Sequence, residues 1–436
     1  MDVMLFRFLA ALLFAGCVLL PVSGADDASS AAESAPLIEE DAYASLSDFL
    51  AALAIIRTHY VDEDMVSWKK LFQASLRGLM HELDPYSMYE SPEEFKSMQE
   101  DVTGKKVGIG IQVTMRARGF GIVSVMPESP AEKAGLKAGD VILEIEGEDT
   151  ASMDMDAALL RIRGEEGTEV FLRVYRPSED VTKDCRVMRG MLTISSVRGA
   201  KIIPESDGVA YIRILQFGTG TEADFDKALE QLAGQGMTAL IVDLRDNPGG
   251  LLSSVVPVCS RFLPPGKPVV SIEGRGENRT VIPSAQSVPH RRIDLPLVVL
   301  INGNSASASE IFAACMRDYK RAVLIGERSF GKGSVQTLIP FGEKNGAMRL
   351  TTARYFTPGR HPIHGHGIEP DIKVALSPAV RDRLSMQLNS HPGELNPLMR
   401  APVRDVALER ALEILKGLRI FRNAHTQEPN AKGAMK

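Results

Sequence analysis

Apolar positions along this chain fall into three textures. From Leu37 to about Val102 they recur at helical spacing. Leu46, Phe49, Leu50, Leu53 and Ile56 make one run, and a second covers Trp68 to Leu83 and stops at Asp84-Pro85. Ser91-Pro92-Glu93-Glu94 reads as a further helix start, with Ser at the cap, Pro first and Glu in the capping-box position. From Gly104 the pattern shortens to glycine-punctuated strands at Val107 to Val113, Gly121 to Val125, Val141 to Ile145 and Glu169 to Tyr175. Short helices are predicted between them at Ser129 to Leu136 and Met155 to Arg163. From Asp207, continuous apolar runs predict buried strands at Val209 to Phe217, Leu240 to Leu244, near Val269, Leu297 to Ile301 and Ala322 to Ile325. Thr221 is expected to cap a helix running to Ala233, with Asp224 completing its capping box. An alternating strand follows at Met348 to Phe356, and the chain turns helical again after Ala379, including Ala407 to Leu418. Strands alternating with helices indicate an α/β core, so the expected class is multidomain α+β and α/β.

The 436 residues suffice for several domains, and 44% hydrophobic with 24% charged is ordinary for a globular protein. A formal net charge of -6, with no long basic run, argues against a nucleic-acid partner. The first residues change the picture. Arg7 precedes an almost wholly apolar stretch from Phe8 to Leu20, and small residues Val22 and Gly24 precede Ala25. This is the layout of a Sec-type signal peptide, 1–24, followed by an Ala- and Ser-rich linker, 25–36. The alternative is an uncleaved inner-membrane anchor. Of four cysteines, Cys17 falls in this segment, and three widely spaced ones make no disulfide framework. An export signal with few cysteines is expected for a bacterial periplasm or cell envelope.

Candidate chemistry sits at the ends of the buried runs. Asp243-Leu244-Arg245-Asp246-Asn247-Pro248-Gly249-Gly250 follows a strand, at the sheet edge where ligands bind. Gly249 and Gly250 can present bare N–H groups to an oxyanion, although such a pair also serves as a plain tight turn. Ser305, Ser307 and Ser309 alternate before a helix, and periodicity does not choose among them; helix capping is the commonest use of such serines. Lys332 lies between two glycines. A serine needs a base, and a lysine serves if partly apolar surroundings, here expected from Phe330 and Val335, lower its pKa. Gly326 to Lys332 also matches the start of a P-loop, but Gly333 replaces the required hydroxyl and a strand follows instead of a helix. His361, His364 and His366 share a loop without a further ligand at a usual spacing, so no metal is expected.

Taken together these segments resemble the C-terminal (tail-specific) processing peptidases, Ser-Lys serine proteases with a PDZ domain. The resemblance runs in order through Leu83-Asp84-Pro85-Tyr86-Ser87, the PDZ-like stretch, Asp243 to Gly250, Ser305 to Glu310, Gly331 to Gln336, Tyr355 to Gly359 and Gly367 to Asp371. It implies a ClpP/crotonase-like protease core, 192–378, with an inserted PDZ domain, 104–191, between helical N-terminal, 37–103, and C-terminal, 379–436, regions. It implies Ser307 as nucleophile, Lys332 as general base, Gln336 as a supporting amide, Gly250 and Ala308 as oxyanion donors with Gly249 close behind, and Glu310 as a positioning acid. No cofactor is implied. Gly108, Ile109, Gly110 and Ile111 become the loop that takes a substrate's free carboxylate, in proteins or peptides with apolar C-termini. Arg163 is the candidate gate contact. The family also suggests a homodimer and an activating partner protein, although the helical runs at Leu46 to Ile56 and Ala407 to Leu418 read first as core. The competing reading is a catalytically silent PDZ scaffold of the cell envelope.

Overall fold

The computed structural model describes residues 40–95, 105–116, 118–126, 128–193, 195–276, 279–285, 293–340, 346–389 and 402–426. The expected signal peptide, the linker and the last ten residues lie outside them. The chain divides into two compact units, one of residues 1–98 with 334–353, the other of residues 99–333 with 354–436.

In the first unit the helices Glu40–His59 and Trp68–Leu83 precede a short strand, Met88–Glu90, paired antiparallel with Ala347–Phe356. Asp84 ends the second helix as a turn-former: its carboxylate accepts the N–H groups of Tyr86 (2.7 Å) and Ser87 (2.8 Å) and the Ser87 hydroxyl. The capping box at Ser91 forms as expected, with Glu94 accepting the Ser91 N–H at 2.7 Å. The Leu46 to Ile56 run does not form a core. Leu46, Phe49, Leu50 and Ile56 are all exposed. Phe49 to Ile56 is apolar at eight consecutive positions, which wraps the helix instead of marking one stripe.

Within the second unit, Ile111–Arg116, Gly119–Val125, Val141–Ile145, Glu169–Arg176 and Val181–Met188 form an antiparallel sheet in that spatial order. Ile109, Phe120, Ile122, Ile142, Ile145, Leu172 and Val187 fill its core together with Ala158 and Ile162 of the helix Met155–Ile162. Ser129 caps the one-turn helix Pro130–Lys133, and Gly135 at φ 78 ends it.

The larger part of this unit is a sheet ordered Val197–Ile202, Val209–Ile214, Ala239–Asp243, Leu297–Ile301, Val323–Gly326, Ile372–Lys373. Its first pair is antiparallel and the rest are parallel. Three central strands are buried at every position, as strands covered on both faces must be. On one face Ala407, Ala411 and Leu415 of the helix Val406–Thr426 pack on Val298, Leu300 and Ile325, so this helical run is core. Phe262, two residues past the helix Leu252–Ser260, packs edge-on between Phe225 of the helix Thr221–Gly234 and Phe312 of the helix Ala308–Asp318, at 6.2 and 5.8 Å. The expected capping box at Thr221 does not form. Thr221 is the first helical residue behind Gly220, and the Asp224 carboxylate is taken by the Ser195 hydroxyl and the Ser196 N–H, both at 2.8 Å.

Candidate active site

Three loops meet at the C-terminal edge of the parallel strands. The first leaves Asp243. Its Arg245 folds back on Asp243 (2.6 Å) and reaches Asp405 (2.8 Å), with the Tyr211 hydroxyl donating to Asp243 at 2.6 Å. Burial alone would push the Asp243 carboxyl up, but the Arg245 guanidinium prevails and holds it below the usual range. Asn247 is fully buried, and its side chain bridges Ile214 O and Gly249 N (2.9 and 2.8 Å). The Gly249 N–H is therefore committed to Asn247 Oδ1, which removes it from the expected oxyanion donors. Gly250 behaves differently. It bridges Phe217 in parallel, with Phe217 N–H donating to Gly249 O and Leu251 N–H to Phe217 O. That pattern turns the Gly250 N–H away from Phe217. Glycine is required here: φ is 136, and an added Cβ would lie 2.2 Å from Phe217 O.

The second loop separates the three serines that the sequence leaves equivalent. Ser305 and Ser309 are fully buried and spend their hydroxyls on backbone carbonyls, Leu244 O at 2.8 Å and Asn247 O at 3.0 Å. Ser307 is half-buried and stands at the N-terminus of the helix Ala308–Asp318 with φ 54. That left-handed-side conformation is strained for a residue with a Cβ and departs from an ordinary N-cap. Gly249 lies so close that a Cβ there would meet Ser307 Cβ at 2.7 Å and Ala308 N at 3.0 Å. Gly249, Ser307 and the Ala308 N–H thus share one small volume, with Gly250 next in the chain.

Glu310 joins this loop to the third. Its fully buried carboxylate accepts four hydrogen bonds: Ser329 Oγ–H (2.5 Å) and Gly331 N–H (2.7 Å) on one oxygen, Ser307 N–H and Lys332 N–H (both 2.8 Å) on the other. The Ser307 and Lys332 backbones therefore lie within two hydrogen bonds of each other. Burial pushes the Glu310 carboxyl upward, against the pull of these bonds. All four partners are donors, the set that an ionised carboxylate takes. Ser329 in turn accepts the Ile368 N–H at 2.6 Å, tying in the Gly367 turn. Sequence reading missed Ser329, whose partners Glu310 and Ile368 lie 19 and 39 residues away, and Asn247, whose side chain is anchored on Ile214 O 33 residues back.

Other expected residues fare variously. Lys332 is half-buried, but Phe330 is 55% exposed and does not wall it in. The loop turns its N–H groups inward, Phe330 to Ser305 O and Gly331 and Lys332 to Glu310, which leaves the Phe330 side chain facing out. Gln336 belongs to the first unit, on the strand Ser334–Pro340, where its amide donates to Ser334 Oγ at 2.7 Å. In the antiparallel domain, Gly108 pairs with Gly190, and the carbonyls of Ile109 and Gly110 accept from Ala131 and Met126. Gly110 has φ 84 and no room for a Cβ against Ser129. Ile111 opens a strand at the sheet edge. Arg163 is exposed at the C-terminus of its helix, whereas buried Arg189 closes that turn on Ile162 O and Arg161 O. Among the described residues, no group of three His, Cys, Asp or Glu side chains is placed to hold a metal, and no helix is long and apolar enough to cross a membrane.

A strained serine at a helix N-terminus, the Gly249 turn packed against it and a lysine loop tied to it through Glu310 are the arrangement a serine-type peptidase needs. Comparison gives the same class: a PDZ domain matches residues 121–176, and Peptidase family S41 matches residues 208–374. The chain is 35% identical over 412 residues to a carboxy-terminal-processing protease of Bartonella bacilliformis, covering 90% of this chain and 93% of that one. It is also 36% identical over 308 residues to a protein of Staphylococcus haemolyticus named "Probable CtpA-like serine protease", over 70% of this chain and 60% of that one. A solved structure from Bacteroides fragilis, named "Putative S41 protease", shares the fold, with a TM-score of 0.51 at 18% identity over 84% of this chain and 97% of the other. The chain therefore belongs to peptidase family S41, among the carboxy-terminal-processing proteases.

Proposed function

We propose that this chain is an exported endopeptidase that processes or degrades proteins from their C-terminal side with a Ser307–Lys332 dyad. Lys332, as the free amine, takes the Ser307 hydroxyl proton while Oγ attacks the scissile carbonyl carbon. The Gly250 and Ala308 N–H groups receive the negative oxygen of the tetrahedral intermediate. Lys332 then hands its proton to the leaving amine, and the C–N bond breaks to give an acyl-serine. Water, deprotonated by the same amine, attacks the ester and releases the acid and Ser307. Gln336 is the supporting amide of this reading, and Glu310 fixes the two backbones.

The observation that carries the proposal is the inequality of the three serines: two are buried on carbonyls, and the third is strained, half-buried and bound through Glu310 to the Lys332 backbone. The PDZ domain supplies the reader. Among the described residues its edge strand Ile111–Arg116 is paired on one side only, so a peptide strand can be added on the other, and the Gly108 to Ile111 loop stands at the strand's start to take the free carboxylate.

The test is cleavage of an unstructured protein with an apolar C-terminus by wild type, Ser307→Ala and Lys332→Ala. Both variants are expected to be inactive. Equal turnover in all three removes the dyad. Loss of activity in Ser305→Ala or Ser309→Ala alone, with Ser307→Ala active, moves the nucleophile.

A further inference from the structure

The Asp243–Gly250 loop has two acidic residues outside the mechanism; Asp243 is taken up by Arg245, and Asp246 is the other. Its backbone is left-handed, at φ 61, which aspartate tolerates better than most residues. Its carboxylate gathers partners from three other segments. Asn302 Nδ2 (2.8 Å) and Asn304 Nδ2 (3.0 Å) bind Oδ1, and the Ser385 hydroxyl (2.9 Å) binds Oδ2, with Arg213 at 3.5 Å. The Asp246 N–H returns to Asn302 Oδ1 at 3.0 Å, so Asp246 and Asn302 hold each other at two points. Asn302 and Asn304 begin the loop that ends in Ser307. Asn302 N–H donates to Ser305 Oγ at 2.9 Å, and that hydroxyl donates to Leu244 O beside Asp246.

These bonds stitch the loop carrying Gly250 to the loop carrying Ser307 and Ala308. We propose that Asp246 is a positioning residue that sets the nucleophile and the two oxyanion donors in register, with Ser385 of the helix Pro378–Asn389 bracing it from the C-terminal region. The proposal rests on the Ser307 reading above. Asp246 touches no substrate; it acts through Asn302 and Asn304. A displacement of about 1 Å at the reacting atoms costs on the order of 100-fold in rate.

The experiment measures kcat and KM for a peptide ending in a free apolar residue, beside thermal midpoints. Asp246→Gly keeps the left-handed backbone and deletes the carboxylate. It is expected to lower kcat about 10- to 100-fold, with KM within about twofold, because the loops hold the reacting groups and not the distant peptide end. Asp246→Asn retains an amide oxygen for Asn302 and Asn304 and is expected to keep kcat within about threefold of wild type. A general loss of structure, or loss of the Arg213 pairing, would spare neither variant, and that outcome overturns the proposal. So does an unchanged kcat in Asp246→Gly, or a loss carried by KM alone. If Asp246→Gly fails to fold, Asn304→Ala at an exposed position decides. A severalfold lower kcat at unchanged midpoint is expected, and wild-type kcat overturns the proposal. Ser307→Ala runs in parallel. If it cleaves normally, the serine reading falls and this one with it; if it is dead while Asp246→Gly is normal, only the positioning role falls.

Discussion

Replacing Glu310 by glutamine tests how the site is held together, because the change is nearly isosteric and alters only what the side chain can accept. Two donors face each carboxylate oxygen. An amide nitrogen facing Ser307 and Lys332 would orphan two buried backbone N–H groups, so the glutamine is expected to turn its oxygen to them. Its nitrogen then faces Ser329, whose hydroxyl can rotate to accept, and Gly331, whose N–H cannot. One orphaned N–H costs about 1–3 kcal/mol, and the remaining bonds weaken from charge-assisted to neutral by about 1 kcal/mol in sum. Relief from burying a charge offsets part of this. The expected net loss is about 1–3 kcal/mol in urea unfolding at neutral pH, with an unchanged m-value. Cleavage is expected to fall at least about 10-fold beyond any loss of folded protein, because the Ser307 and Lys332 backbones are no longer gripped by one charged oxygen. A variant within about 0.5 kcal/mol of wild type and fully active would refute the reasoning.

Three further outcomes follow from the same geometry. Arg245→Met leaves Asp243 and Asp405 without their cation and is expected to cost about 3–5 kcal/mol at pH 7 in denaturant unfolding. The wild-type Asp243 carboxyl is held low, so its contribution is full above the unfolded carboxylate value of about 3.9 and fades as pH falls through the folded value. The Arg245→Met deficit is therefore expected to shrink on acidification, and a deficit that grows would contradict the pairing. Gly250→Ala forces a Cβ onto Phe217 O at φ 136 and is expected to lower stability by about 3 kcal/mol or more, read as a thermal midpoint. Gly110→Ala, which drives a Cβ into Ser129, is expected to raise KM for substrates with a free C-terminus while sparing kcat on substrates blocked there by an amide. Equal KM for both variant and wild type would detach that loop from recognition.

Much of the architecture was legible because burial on both faces leaves continuous apolar runs, as at Leu240 to Leu244 and Leu297 to Ile301. The edge strand Val181–Met188 escaped notice because its positions are mostly exposed and carry Lys183, Asp184 and Arg186. Met88–Glu90 is too short to show a period. Local chemistry was read correctly at Ser91, whose cap reaches three residues along the chain. It failed at Thr221, where Asp224 prefers a partner almost thirty residues earlier. The site divides in the same way. Glycines and serines announce close backbone approach, but whether a given N–H or hydroxyl is available depends on distant groups. Leu244 O and Asn247 O take the flanking serines from 61 and 62 residues away, and Ile214 O, 33 residues back, anchors the Asn247 side chain that takes the Gly249 N–H. Phe330 misled because an apolar residue suggests a wall, whereas inward N–H groups on either side of it turn its side chain out.

The central claim is that Ser307, and neither neighbour, becomes covalently bound to substrate. The direct measurement is peptide mass mapping after treatment with a fluorophosphonate, a reagent that labels activated serine hydroxyls, in wild type, Lys332→Ala and the three single serine-to-alanine variants. The account predicts one adduct on Ser307, present in Ser305→Ala and Ser309→Ala that remain folded, and absent in Ser307→Ala and Lys332→Ala. An adduct on Ser305 or Ser309, or labelling that persists without Lys332, would contradict it.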